Sequence, residues 1–111
     1  MKHMMMCLLL SCLISNLFGA TINLVWDANP AAQNVTGYQP YRSTTSGSGY
    51  VPIGAPVIVT SFSDTVADNG TTYYYVVKAL RGTEESGFSN EFSFTAPLPP
   101  LTAPTNLRLQ P

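Results

Sequence analysis

Residues 70–80, GTTYYYVVKAL, limit the fold of this chain more than any other stretch. Tyrosines, valines and threonines favour extended backbone, and this is the longest run of them. At a period of two, Tyr73, Tyr75, Val77 and Ala79 fall on one face and Thr72, Tyr74, Val76 and Lys78 on the other. Such a strand packs one face and leaves the other partly wet. The rest reads as shorter strands leaning on it. Ile22, Leu24 and Trp26 alternate before the break Asp27-Ala28-Asn29-Pro30. Residues 37–42, 50–54, 57–59 and 60–64 read as extended pieces, and 89–94 as the last strand, with Phe92 and Phe94 on one face. The polar stretch 43–49 reads as a flexible turn region and Asp68-Asn69-Gly70 as a tight turn. No stretch carries helical periodicity. Short strands with frequent turn signals predict an all-β, antiparallel β-sandwich.

The chain has 111 residues, enough for one domain. Lys2, an apolar run from Met4 to Ile14 and the stretch ending at Ala20 read as a secretory signal over 1–20. An uncleaved anchor is the alternative. Leu9-Leu10-Ser11-Cys12 also resembles a bacterial lipobox, making Cys12 a candidate lipidation site and the protein membrane-attached through a lipid. Both cysteines (Cys7, Cys12) and the only histidine (His3) precede residue 21. Beyond it, four cations (Arg42, Lys78, Arg81, Arg108) face six carboxylates (Asp27, Asp64, Asp68, Glu84, Glu85, Glu91). That scatter offers no footprint for nucleic acid.

Four motifs in order then resemble a fibronectin type III domain of the bacterial sort. They are Ile22-x-Leu24-x-Trp26-Asp27, Gly37-Tyr38-x-x-Tyr41-Arg42-Ser43-Thr44, Gly70-Thr71-x-Tyr73-x-Tyr75-x-Val77-x-Ala79 and Glu85-Ser86-x-x-Ser89-Asn90-Glu91. The resemblance implies an immunoglobulin-like sandwich over 21–96, with Trp26 as the core tryptophan and Tyr73 as the tyrosine-corner residue. The expected core is Ile22, Leu24, Trp26, Tyr38, Phe62, Tyr73, Tyr75, Val77 and Phe92.

Three departures from the family pattern follow. Pro40 stands in a strand where the family has Val or Leu; lacking an N–H, it should break or bulge the ladder. The domain starts at the family's second strand, so strand A is missing or supplied by the C-terminal tail. Residues 97–111 form a Pro-rich linker followed by Ala103-Pro104-Thr105-Asn106-Leu107-Arg108-Leu109-Gln110, which resembles a strand A. It reads either as the start of a further module or as a strand added to a neighbouring copy.

From residue 21 onward a Ser-His-Asp or Cys-His set cannot be built, and zinc of the Cys/His type has no ligands. Glu84-Glu85 reads as a solvated tip, and Asp64 and Asp68 as turn residues. No calcium loop, P-loop or other cofactor motif is present. Arg81-Gly82-Thr83 lacks the carboxylate of an Arg-Gly-Asp. Tyr41, Tyr50 and Tyr74, outward-facing or loop-borne, are the candidate ligand platform for a saccharide. The sequence therefore predicts a secreted or cell-surface, bacterial extracytoplasmic module without enzymatic activity. It would bind or space, with protein or polysaccharide as partner and possible accessory roles beside polysaccharide-acting or adhesive proteins. The alternative is an assembly subunit associating head to tail through residues 105–110.

Overall fold

The computed structural model describes residues 19–111. Most of the stretch 1–20 expected as a secretory signal, with His3, Cys7 and the candidate lipidation site Cys12, lies outside the described residues. Among the described residues, seven strands form two antiparallel sheets: β1 (Gly19–Val25), β2 (Gly37–Ser43), β3 (Val51–Pro52), β4 (Ser61–Ala67), β5 (Thr72–Arg81), β6 (Glu84–Glu85) and β7 (Phe92–Thr95). β1 pairs with β4; the other sheet runs β3-β2-β5-β6, with β7 on β5 as well. A 3-10 turn, Ala31–Gln33, is the only helical piece among the described residues. The fold is the all-β sandwich that the alternation predicts. β5 organises it, pairing with β2 along Gly37↔Leu80 to Ser43↔Tyr74 and with β7 along Thr72↔Thr95 to Tyr75↔Phe92.

The sheets meet on the inward residues of each strand. Ile22, Val66, Tyr75 and Ala96 are buried at the centre, with Ala20, Leu24, Ile53, Tyr73 and Phe94 packed around them. Burying one such large side chain contributes about 1.5–3 kcal/mol. Among the expected core residues, Ile22, Tyr38 and Tyr75 are buried, while Leu24, Trp26, Phe62, Tyr73 and Val77 are half-buried. Phe92 departs from the expectation, at 51% exposed. It pairs with Tyr75 on the inward face, but beside β1, which has no outer neighbour among the described residues.

Pro40 does not break its strand. β2 keeps continuous register with β5 through Pro40↔Val77, and the proline side chain is fully buried. The reason is direction. The Pro40 carbonyl accepts from Ile53 N at 3.0 Å, and Tyr38 exchanges bonds with Val57 on that same side. In an antiparallel ladder a residue's N–H and C=O point to the same neighbour. The missing donor therefore faces the short β3 side and costs the β5 ladder nothing.

Strand boundaries also shift. β1 begins at Gly19, so Ala20 pairs with Val66 inside the sheet, and β4 runs on to Ala67. Asp64 is consequently a strand residue and not a turn residue. Val57 makes only an isolated bridge to Tyr38, and Ile58 and Val59 are exposed. Glu84 and Glu85 form the short return strand β6 and pair with Arg81 and Lys78.

The turn into β5 is built as the Asp-Asn-Gly signal predicts. Asn69 Oδ1 accepts from Thr71 N at 2.9 Å, and Gly70 has φ +76°. A Cβ on Gly70 would lie 2.7 Å from Leu98 Cδ2. Gly70→Ala is expected to destabilise the domain by about 1–2 kcal/mol, from the left-handed backbone and a displaced Leu98. A urea midpoint that stays within error of the parent would refute this.

Candidate functional site

The most elaborated surface lies on the outer face of the larger sheet, where segment 86–91 is clamped to β5. Ala79 N donates to Ser86 Oγ at 2.8 Å while Ser86 N donates to Ala79 O at 2.9 Å. Val77 N donates to Ser89 Oγ and Ser89 N to Val77 O, both at 2.9 Å. Three steps of one chain thus oppose two of the other, and the extra residue bulges the segment as an inserted residue does in a ladder. Within this bulge Phe88 meets Tyr41 edge-on at 5.2 Å and Tyr50 at 5.0 Å. Lys78 Nζ lies 4.6 Å above the Phe88 ring and 5.4 Å from that of Tyr41.

Glu91 holds the facing loop. Its carboxylate accepts from Gly47 N at 2.9 Å, Ser46 Oγ at 2.7 Å and the Tyr50 hydroxyl. Ser43 Oγ donates to Ser48 O at 2.6 Å, and Gly47 and Gly49 supply the positive φ that the reversal needs. The stretch expected to be a flexible polar turn is therefore tied at both ends. Tyr50 first, then the Gly47 N–H and Ser46, hold the Glu91 carboxyl below the usual range, and the same carboxylate raises the Tyr50 phenol. The Glu85 carboxylate likewise raises the Lys78 amine.

Of the three tyrosines expected as a platform, Tyr41 and Tyr50 converge on Phe88. Tyr74 stands apart, opposite Ser43 and Ser93 across the ladder. The Tyr41–Phe88 pair is edge-to-face, at 84° between planes, so the cluster packs on itself while Phe88 stays 46% exposed.

A second constellation lies between the sheets. Asp64 Oδ2 accepts from Arg42 Nη1 at 2.8 Å and from the Tyr75 hydroxyl at 2.7 Å, and the Arg42 guanidinium sits 5.3 Å over the Tyr73 ring. Burial first, then the bond to Asp64, pushes the Tyr75 phenol far above its ordinary value. Burial disfavours the Arg42 charge, but the bond to Asp64 and its charge more than offset this. A phenol that keeps its proton this firmly supplies neither base nor nucleophile at neutral pH. The cluster ties β4 to β2 and β5. Tyr73, expected as the tyrosine corner, has its hydroxyl 3.2 Å from Asn69 Nδ2, four residues upstream.

A third feature is an open groove of about 730 Å³ between the end of β1 and residues 86–90, with Trp26, Tyr38 and Val77 in its walls. Trp26 meets Tyr38 edge-on at 5.6 Å, and Tyr38 Oη accepts from Asn29 N at 3.0 Å. The Trp26 indole N–H is buried with no acceptor among the described residues. A smaller slot of about 80 Å³, walled by Leu24, Trp26, Val77 and Phe92, adjoins it.

Sequence reasoning missed Arg42, Asp64, Phe88 and Glu91. Arg42 and Glu91 stand in the motifs quoted above without an assigned role, and Phe62-x-Asp64-x-Val66 places Asp64 on the inward face.

Sheet order, the inward Trp26 and the Ser-x-x-Ser clamp define an immunoglobulin-like sandwich whose smaller sheet has two strands among the described residues. No family model matches the sequence. A crystal structure of an Fn3-like protein from Clostridium thermocellum superposes with a TM-score of 0.60 at 36% sequence identity, covering 75% of this chain and 81% of that one. The chain belongs to the fibronectin type III-like family. It is also similar to a segment of an amylopullulanase from Thermoanaerobacterium saccharolyticum, 36% identical over 72 residues. An amylopullulanase from Thermoanaerobacterium thermosulfurigenes contains a segment 37% identical over 71 residues. These matches take in 65% and 63% of this chain but span only 5% and 4% of those two proteins.

Proposed function

We propose that this chain is a non-catalytic binding and spacing module of an exported, polysaccharide-acting protein. The observation that carries the reading is the pattern of similarity: about one domain's worth of sequence recurs as a small fraction of two amylopullulanases. A segment of that size serves a larger enzyme by position and contact more readily than by chemistry. The side-chain arrangement supports this, because its two polar clusters are closed on themselves, Glu91 by the loop and Asp64 by Arg42 and Tyr75. The exposed part of the outer-face cluster is Phe88, with Tyr41 and Tyr50 holding it in place, and a ring of this kind offers a stacking surface for a sugar.

Depletion of the purified full chain from solution by insoluble α-glucan tests the reading. The chain is expected to partition onto the solid, Phe88→Ala to lower the bound fraction about fivefold, roughly 1 kcal/mol, and no reducing ends to appear. Release of reducing sugar would overturn the non-catalytic part. Retention unchanged by Phe88→Ala, or no retention at all, would overturn the binding surface.

A further inference from the structure

The smaller sheet has two strands, and among the described residues β1 pairs on one side only, with β4. Along its other edge, alternate residues of this seven-residue strand turn their N–H and C=O outward. Such an edge is a template for another strand. Directly below it lies the slot walled by Leu24, Trp26, Val77 and Phe92, where Phe92 is left half exposed. A strand laid beside β1 would bond to the edge and lower every second side chain onto this apolar floor.

The chain also carries a C-terminal segment whose apolar side chains are exposed among the described residues. Residues 97–111 form no strand and are exposed throughout, with Leu107 at 97% and Leu109 at 93%. Leu107 and Leu109 are two apart, so in an extended strand they share one face, and Asn106, Arg108 and Gln110 take the other. That division fits the edge: apolar over the slot, polar beside Thr21 and Asn23 on the solvent face of β1.

The tail's own edge is a poor seat. β7 ends at Thr95, opposite Thr72, and Gly70 N donates to Pro97 O at 3.3 Å. The tail therefore leaves beside the turn at which β4 ends, and β1 begins there, with Gly19 opposite Ala67. To lie antiparallel to β1 it would first have to run back along the sandwich. The seven residues 98–104 span about 22 Å at polyproline rise. That is no more than the roughly 23 Å of a strand as long as β1, so no residue is left for the reversal.

We propose that residues 105–110 of one copy add to the β1 edge of a second copy, antiparallel, with Leu107 and Leu109 over the Leu24–Trp26–Phe92 slot. Asn106, at φ 60° in the free tail, becomes extended on docking. The contact is head to tail, so it continues from copy to copy unless the chain ends close it. It does not depend on polysaccharide binding.

Sedimentation velocity on the full chain tests this, with fluorescence of Trp26, the sole tryptophan, as a reporter inside the slot. The weight-average sedimentation coefficient is expected to rise with concentration up to about 1 mM, with a blue shift of Trp26 emission. The Leu107→Asp/Leu109→Asp variant should stay monomeric with unshifted emission. Both leucines are exposed, so their replacement leaves the folded body intact, and an unchanged Tm at low concentration verifies it. A parent that stays monomeric throughout would overturn the proposal. So would association that survives the double variant or that leaves Trp26 emission unchanged. Glucan retention is measured separately, so its loss leaves this contact standing.

Discussion

Tyr75→Ala is expected to remove about 3–5 kcal/mol of stability, whereas Tyr75→Phe should lose about 1–2 kcal/mol. Tyr75 is 2% exposed and lies in the central cluster with Ile22 and Val66. Truncating a buried aromatic to alanine costs about 3–5 kcal/mol. It also strips Asp64 of one of its two partners. A domain of this size holds about 4–11 kcal/mol, at about 0.05–0.15 kcal/mol per residue, so the loss takes a large share of it. The phenylalanine variant keeps the packing and loses one bond to a carboxylate that Arg42 still holds. Circular dichroism and urea titration separate the two cases. Alkaline pH separates them again. An unfolded tyrosine releases its proton near pH 10, while burial and Asp64 keep the Tyr75 proton on in the folded state well beyond that. The unfolded state therefore loses its proton first. This contribution to stability is complete below about pH 10 and drains away as pH rises further. The fall of Tm above that pH should be shallower in Tyr75→Phe than in the parent. Equal slopes would mean that the fold does not hold the Tyr75 proton beyond its ordinary range.

The parts of this fold that were legible in the sequence are those governed by local alternation. Residues 70–80 read directly as the central strand, because a period of two needs no knowledge of its neighbours. The Asp68-Asn69-Gly70 turn was legible for the same reason: it rests on one side-chain bond and one left-handed glycine. Pro40 was misread because its effect depends on which neighbour its nitrogen faces, a property of the assembled sheet. Asp64 was misread because Arg42 and Tyr75 neutralise its cost from 22 and 11 residues away. The outer-face cluster was half legible. Tyr41 and Tyr50 stood out as aromatic residues in outward or loop positions. Phe88, which joins them, reaches that face only through a bulge set by Ser86 and Ser89, and no periodicity marks it. Phe92 shows the converse limit: its phase was read correctly, but exposure depends on whether a further strand covers it.

Trp26→Ala should cost about 3 kcal/mol, the low end for a large aromatic, because the residue is half-buried. The ring walls both the groove and the slot and braces Tyr38 edge-on, so its removal joins the two spaces and frees Tyr38. Trp26→Phe should behave very differently. The indole N–H is buried without an acceptor among the described residues, so phenylalanine gives up area but no hydrogen bond seen there. An unsatisfied buried donor costs about 1–3 kcal/mol, and phenylalanine removes that cost along with the group. The lost packing and the relieved donor roughly offset each other, leaving a net change within about 1 kcal/mol. Urea denaturation followed by circular dichroism measures both variants without relying on tryptophan emission. A Trp26→Phe midpoint as low as that of Trp26→Ala would show that the N–H is bonded in solution. It would then be a polar anchor for this end of the sandwich, and the groove would owe its shape to that bond and not to ring packing.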